Sequence, residues 1–136
     1  MKKYLLACLA TLLLSCSVND DDDSLSSYQT LLPIESVDIP DAFELGEIYT
    51  ITLFYIKPTN CHSFSDIYYS KDQNERTVSI ISTVYTNTNC YEINATTEAS
   101  FNFKATDPGV YKFMFWNGKD ENNEDIYLNY DIPVIE

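Results

Sequence analysis

The sequence predicts an all-β domain, a single antiparallel sandwich of about seven strands. Three observations predict it. Tyrosine contributes 11 residues and phenylalanine 7, beside many Ile, Val and Thr, and such flat or β-branched side chains suit a pleated, half-buried surface. Alternation of period two recurs, most clearly over Tyr49-Thr50-Ile51-Thr52-Leu53-Phe54-Tyr55-Ile56, where Tyr49, Ile51, Leu53 and Tyr55 share one face. Residues 31–136 show no sustained period of 3.6, so no amphipathic helix competes for the core.

The first element is not part of that domain. Met1-Lys2-Lys3 is positively charged, and Leu5 to Leu14 is apolar apart from Thr11. A run of about ten residues is half of what a bilayer span requires, so it reads as a signal peptide. Its end, Leu13-Leu14-Ser15-Cys16, resembles the lipobox of bacterial lipoproteins. The resemblance implies cleavage after Ser15, a diacylglyceryl group on the Cys16 thiol and acylation of the new amine. Two or more acyl chains hold a protein on a membrane, whereas one does so only marginally. Asp20-Asp21-Asp22-Asp23 follows, then Ser24-Leu25-Ser26-Ser27. Adjacent like charges resist burial, so residues 16–30 read as a solvated, lipidated tether. The acidic run also resembles the surface-export signal of Bacteroidota lipoproteins, which implies the outer face of the outer membrane. Asp23-Ser24-Leu25 resembles that phylum's short O-glycosylation motif. The expected organisation is thus signal peptide 1–15, tether 16–30 and a sandwich over 31–136.

Charge bounds the partners. The chain carries a formal charge of −13, and removing residues 1–15 takes away Lys2 and Lys3 and no acid, leaving −15. Such a surface repels nucleic acid phosphates and anionic headgroups, so no nucleic acid partner is expected. Of the four cysteines, Cys8 leaves with the signal peptide and Cys16 takes lipid, so Cys61 and Cys90 remain as a pair in an oxidising compartment. A Cys61–Cys90 disulfide is the expectation. Two cysteines and the lone His62 fall short of a zinc ligand set, and no cofactor is expected.

Within the domain the expected strands follow in order. Ile34–Ile39 is weak, Tyr49–Ile56 strong, the segment around Phe64–Tyr69 weak and Thr77–Tyr85 strong. In Ala99–Ala105, Phe101 and Phe103 point inward. Val110–Trp116 is nearly continuous in apolar residues, as a central strand buried on both faces would be. Ile126–Val134 contains Pro133, which tolerates only an edge or terminal position.

Two segments resemble immunoglobulin-like domains. Gly46 to Leu53 is similar to the second strand of that fold, and Asp107-Pro108-Gly109-Val110-Tyr111-Lys112-Phe113 to the strand that opens with its tyrosine corner. The resemblance implies that Tyr111 is the corner tyrosine. It also implies that Leu53 and Phe113, at the two positions of the family's cysteines, pack together across the core. Lys57-Pro58-Thr59-Asn60-Cys61-His62-Ser63-Phe64, Asn74–Val78 and Phe115–Asp120 further resemble small uncharacterised Bacteroidota lipoproteins, which supports location and fold and says nothing of chemistry.

Candidate sites are few. His62 is the sole histidine, and neither Ser63 nor Ser65 is framed by a nucleophile-elbow motif, so no enzyme is expected. Asp120, Asn122 and Glu124 alternate as calcium ligands do, but Asp125 stands where glycine is expected and no bidentate Glu follows; the segment 117–125 reads as a polar hairpin loop. Tyr68, Tyr69 and Trp116 are the side chains best able to stack on a sugar or anchor a protein, with Trp116 expected over the sandwich edge. The functional expectation is a surface-anchored, non-catalytic binding module for a glycan or an outer-membrane protein partner. The alternative is an accessory envelope lipoprotein without a small ligand. A contiguous exposed aromatic patch favours the first, and wholly buried aromatics the second.

Overall fold

The structure is a computed structural model, and it describes residues 26–86 and 88–136. The lipobox, Cys16, the aspartate run and Ser24 lie outside the described residues. Among those described, every regular element is a strand: β1 (Ser27–Leu32), β2 (Ile34–Asp38), β3 (Phe43–Glu44), β4 (Ile48–Thr59), β5 (His62–Asp72), β6 (Glu75–Tyr85), β7 (Glu92–Lys104), β8 (Gly109–Lys119) and β9 (Asp125–Ile135). They form a sandwich of two sheets. One sheet has three strands in the order β2-β4-β7; the other has six, with β5 on one edge of β6 and the series β6-β8-β9-β3 on the other.

The described sandwich has nine strands where the sequence indicates about seven. The two extra are short or early. β3 spans two residues, and β1 takes Ser27 to Thr30 out of the expected tether by pairing Ser27 with Tyr85 and Thr30 with Ser82. β1 and β8 share one edge of β6: β8 lies along Glu75–Val78 and β1 along Ile80–Tyr85. The chain changes sheet at Pro33. There Asn117 Nδ2 donates to the Ile34 carbonyl at 2.8 Å, and the neighbouring Gly118 adopts φ +107°, a conformation that a side chain would strain.

Two pairings are parallel, β6 with β8 and β3 with β9; the others are antiparallel. Connectivity explains the first. After β6 the chain crosses to the other sheet as β7 and returns as β8, so β6 and β8 run the same way, and parallel neighbours require such a crossover.

The core lies between the sheets. β4 contributes Tyr49, Ile51, Leu53 and Tyr55, the face read from the alternation, and β7 contributes Phe101 and Phe103. Opposite them sit Val78, Ile80, Phe113, Phe115 and Ile132. Leu53 and Phe113, the two cysteine-equivalent positions, are both fully buried in this one cluster. Aromatic edges meet faces at its centre. Phe103 stands 5.1 Å from Phe113 and 4.9 Å from Tyr111, both near-perpendicular, arrangements that ring quadrupoles favour. The Tyr111 hydroxyl accepts from the backbone N–H of Thr106 (3.2 Å) and Asp107 (3.1 Å), so the corner that the motif implies is formed.

β8 departs from expectation. It is central, between β6 and β9, yet it is buried on one face only. Tyr111, Phe113 and Phe115 point inward, whereas Lys112 is exposed and Met114 and Trp116 are half-buried on the outer face. No layer covers that face among the described residues. Pro133 pairs with Val110 near the end of β9, outside which, among the described residues, lies only the two-residue β3.

Candidate functional site

Outward-facing residues of the six-stranded sheet form the aromatic surface. β5 and β6 are in antiparallel register with Tyr68 opposite Ser79, and β8 and β9 with Trp116 opposite Tyr127. The parallel pairing of Val78 with Phe115 puts Ser79 and Trp116 one step further along, on the opposite face. Tyr68, Ser79, Trp116 and Tyr127 therefore form one row across four strands, about 14 Å long at the usual interstrand spacing. Serine in the second place leaves a dip between flanking rings. The depression is lined by Tyr68, Trp116, Tyr127, Leu31, Thr77 and Asp125 among others, and encloses about 280 Å³.

Trp116 is held within this row. Its Nε1–H donates to Asp125 Oδ1 at 2.9 Å, and the Lys119 ammonium contacts the same oxygen at 3.0 Å. These two donors, the indole first, hold the Asp125 carboxyl below its usual value. The sequence reading placed Trp116 over the sandwich edge. It lies instead on the open outer face of a central strand, because the indole follows Phe115 in strict alternation.

Tyr68 and Tyr69 part company, as adjacent strand residues must. Tyr68 is 49% exposed on the outer face, while Tyr69 turns to the inner side at the sheet's edge and meets Phe101 of β7, ring centroids 5.7 Å apart. The three candidate aromatics thus divide: Tyr68 and Trp116 share one surface, and Tyr69 lines a separate groove between β5 and β7. Tyr127 was missed in the sequence. Its signal was available as a tyrosine on the same parity as Tyr130's neighbours in a strand, but only the β8–β9 register places it opposite Trp116.

The disulfide joins Cys61 and Cys90, Cα atoms 5.5 Å apart, tying the β4–β5 turn to the segment before β7. His62 follows it and bonds Thr59 Oγ1 through Nδ1 at 2.8 Å. Burial, and then the Lys57 charge, lower its pKa. His62 pairs with Val84 on the inner side, whereas Ser63 alternates to the outer side, so the two do not face one another. In the β8–β9 hairpin, Asp120 Oδ1 accepts from the N–H groups of Asn122 (2.8 Å) and Glu124 (3.0 Å), which is a turn closing on itself.

No helix among the described residues is long and apolar enough to cross a membrane. No curated protein and no solved structure matches the chain. The family model described as the ORF11 beta-sandwich domain matches residues 50–127, a stretch from β4 into β9 that holds Tyr68, Ser79, Trp116 and Tyr127. That match covers more than half of the sequence, and the chain belongs to the ORF11 beta-sandwich domain family.

Proposed function

We propose that the protein is a non-catalytic binding module, lipidated at Cys16, held on the outer membrane and exposed at the cell surface, and that it takes a neutral glycan on the outer face of its six-stranded sheet. The observation that carries the binding half is the transverse row of Tyr68, Trp116 and Tyr127 with Ser79 in its dip. Flat aromatics present large apolar faces at little entropic cost, and the C–H faces of sugar rings stack on them. An open sheet face admits a polymer from either side, which an enclosed pocket does not. Thr77 and Asp125 supply hydrogen-bonding groups for hydroxyls at the rim. The chain's charge of −13 disfavours a polyanion there.

The anchoring half rests on Leu13-Leu14-Ser15-Cys16 and Asp20–Asp23. The non-catalytic half is supported by the position of His62, which is engaged with Thr59 beside the disulfide and turned away from Ser63.

Electrophoresis of the full chain through gels containing soluble neutral polysaccharides tests the binding. Retardation by at least one is expected, with normal mobility restored by Tyr68→Ala, an exposed position that leaves the fold intact. Unretarded migration in every gel, with the fluorescence of the sole tryptophan unchanged, would remove the glycan and leave a protein partner as occupant. Mass spectrometry of the peptide that begins at residue 16 tests the anchor; a free Cys16 thiol would end that part of the reading.

A further inference from the structure

The groove between β5 and β7 lies apart from the outer face. It is the open flank of the sandwich, bounded by two strand edges that pair with no further strand among the described residues, and encloses about 610 Å³. Phe64, Ile67 and Tyr69 line it from β5, and Phe101 from β7. This volume falls within the usual range for small-molecule sites, which combine apolar walls with a few placed polar groups.

Its polar groups are unusual for this chain. Arg76 is the only arginine in a sequence of 21 acidic residues, and it is 3% exposed. Nη1 donates to the carbonyls of Gln73 (2.7 Å) and Glu75 (2.9 Å), and the guanidinium lies over the rings of Tyr111 (5.1 Å) and Phe103 (5.8 Å). No carboxylate pairs with it: the one ion pair among the described residues is Lys119–Asp125. Nε is the one buried side-chain nitrogen or oxygen among them that has no hydrogen-bond partner. Buried arginine is ordinarily paired, because an uncompensated buried charge is strongly unfavourable. Lys71, cross-strand from Arg76, and Lys104 line the same groove. Half of the six cations that follow residue 15 therefore line one cavity of an acidic protein, with Asp66 as its only acid.

We infer that this groove binds a carboxylate borne on a ring-shaped body, with Arg76 as its anchor. Guanidinium donors match a carboxylate in plane and number, and the hydrogen bonds are charge-assisted. Lys71 and Lys104 draw the anion to the mouth, while Phe64, Tyr69 and Phe101 pack against the ring. Asn102, Ser100 and Thr106 at the rim offer partners for ring hydroxyls. An acidic sugar and an aromatic acid both present this chemistry.

A single arginine makes the test direct. Full chain labelled with 15N-arginine gives one Nε–H cross-peak, protected from exchange by burial. Titration with sodium galacturonate and, separately, sodium phenylacetate is expected to move that peak with at least one of them, at millimolar or lower concentration. Galactose and phenylacetamide, which lack the charge, are expected to leave it in place. The acid that moves it identifies the source as sugar or aromatic. Lys71→Gln and Lys104→Gln, both at exposed positions that spare the fold, are each expected to weaken binding by about 3- to 10-fold. A peak that neither acid moves would overturn the inference, as would equal affinity in both lysine variants or equal movement by the uncharged analogues. The outer-face glycan reading survives any of these results, since its row shares no residue with the groove.

Discussion

Tyr111 does with one hydroxyl what a loop cannot do for itself. Its oxygen accepts two backbone N–H groups, and its ring packs against both Phe103 and the Arg76 guanidinium. Tyr111→Phe keeps the ring and strands both amides. The expected loss is about 1–3 kcal/mol, read as a lower denaturant midpoint at unchanged slope. The motif Asp107-Pro108-Gly109-Val110-Tyr111 announces this residue in the sequence through its resemblance to the tyrosine-corner strand of immunoglobulin-like domains. Asp125 was not legible in that way. Its importance comes from Trp116 and Lys119, which reach it only across the β8–β9 ladder. Its folded-state pKa is depressed below 3.8, so its stabilising contacts are complete above that value and are lost as pH falls through the lower, folded one. The indole Nε1–H resonance of Trp116 is expected to hold steady from pH 7 down to pH 4 and to move below it. Asp125→Asn, which has no charge to lose, is expected to abolish that movement.

At the scale of elements, the disulfide and the outer face of β8 carry the lesson. Cys61 and Cys90 close a loop spanning 29 positions around the β5–β6 hairpin, which otherwise holds to the sandwich chiefly through β6. Replacing both by serine is expected to cost about 3–4 kcal/mol by the chain-entropy estimate, seen as the same drop in thermal stability that reductant gives the unaltered protein. An unshifted melt would show the hairpin to be held by its ladder alone. Cysteine counting found this bond because only two thiols remained. β8 was harder to read. Val110, Met114 and Trp116 are apolar, so hydropathy alone indicates burial on both faces. Lys112 within the strand was the contrary signal, since it shares their outward parity. A strand can carry apolar residues outward where a ligand covers them, and Trp116 opposite Tyr127 is where the proposed glycan would lie.

For the whole molecule, stability gathers where the two sheets meet around Phe113, which stacks on Phe115 at 5.8 Å and meets Phe103 and Phe43 edge-on. Phe113→Ala is expected to cost about 3–5 kcal/mol, measured by urea unfolding, because close-packed rings cannot collapse into the cavity it leaves. The all-β class, the inward faces of β4 and β7, the tyrosine corner and the disulfide were all legible in the sequence. The corner follows from a motif's resemblance to immunoglobulin-like domains, and the others from alternation or a count, all of them properties of the chain read in order. Which strands lie side by side was decided only by the tertiary structure. The crossing through β7 sets β8 parallel to β6, the change of sheet at Pro33 frees β1 to extend the same edge, and these registers put Tyr68, Ser79, Trp116 and Tyr127 in one row and Arg76 beneath an open flank. Periodicity tells a side chain which face to take; pairing between distant segments, settled by burying the two inner faces together, tells it who its neighbours are.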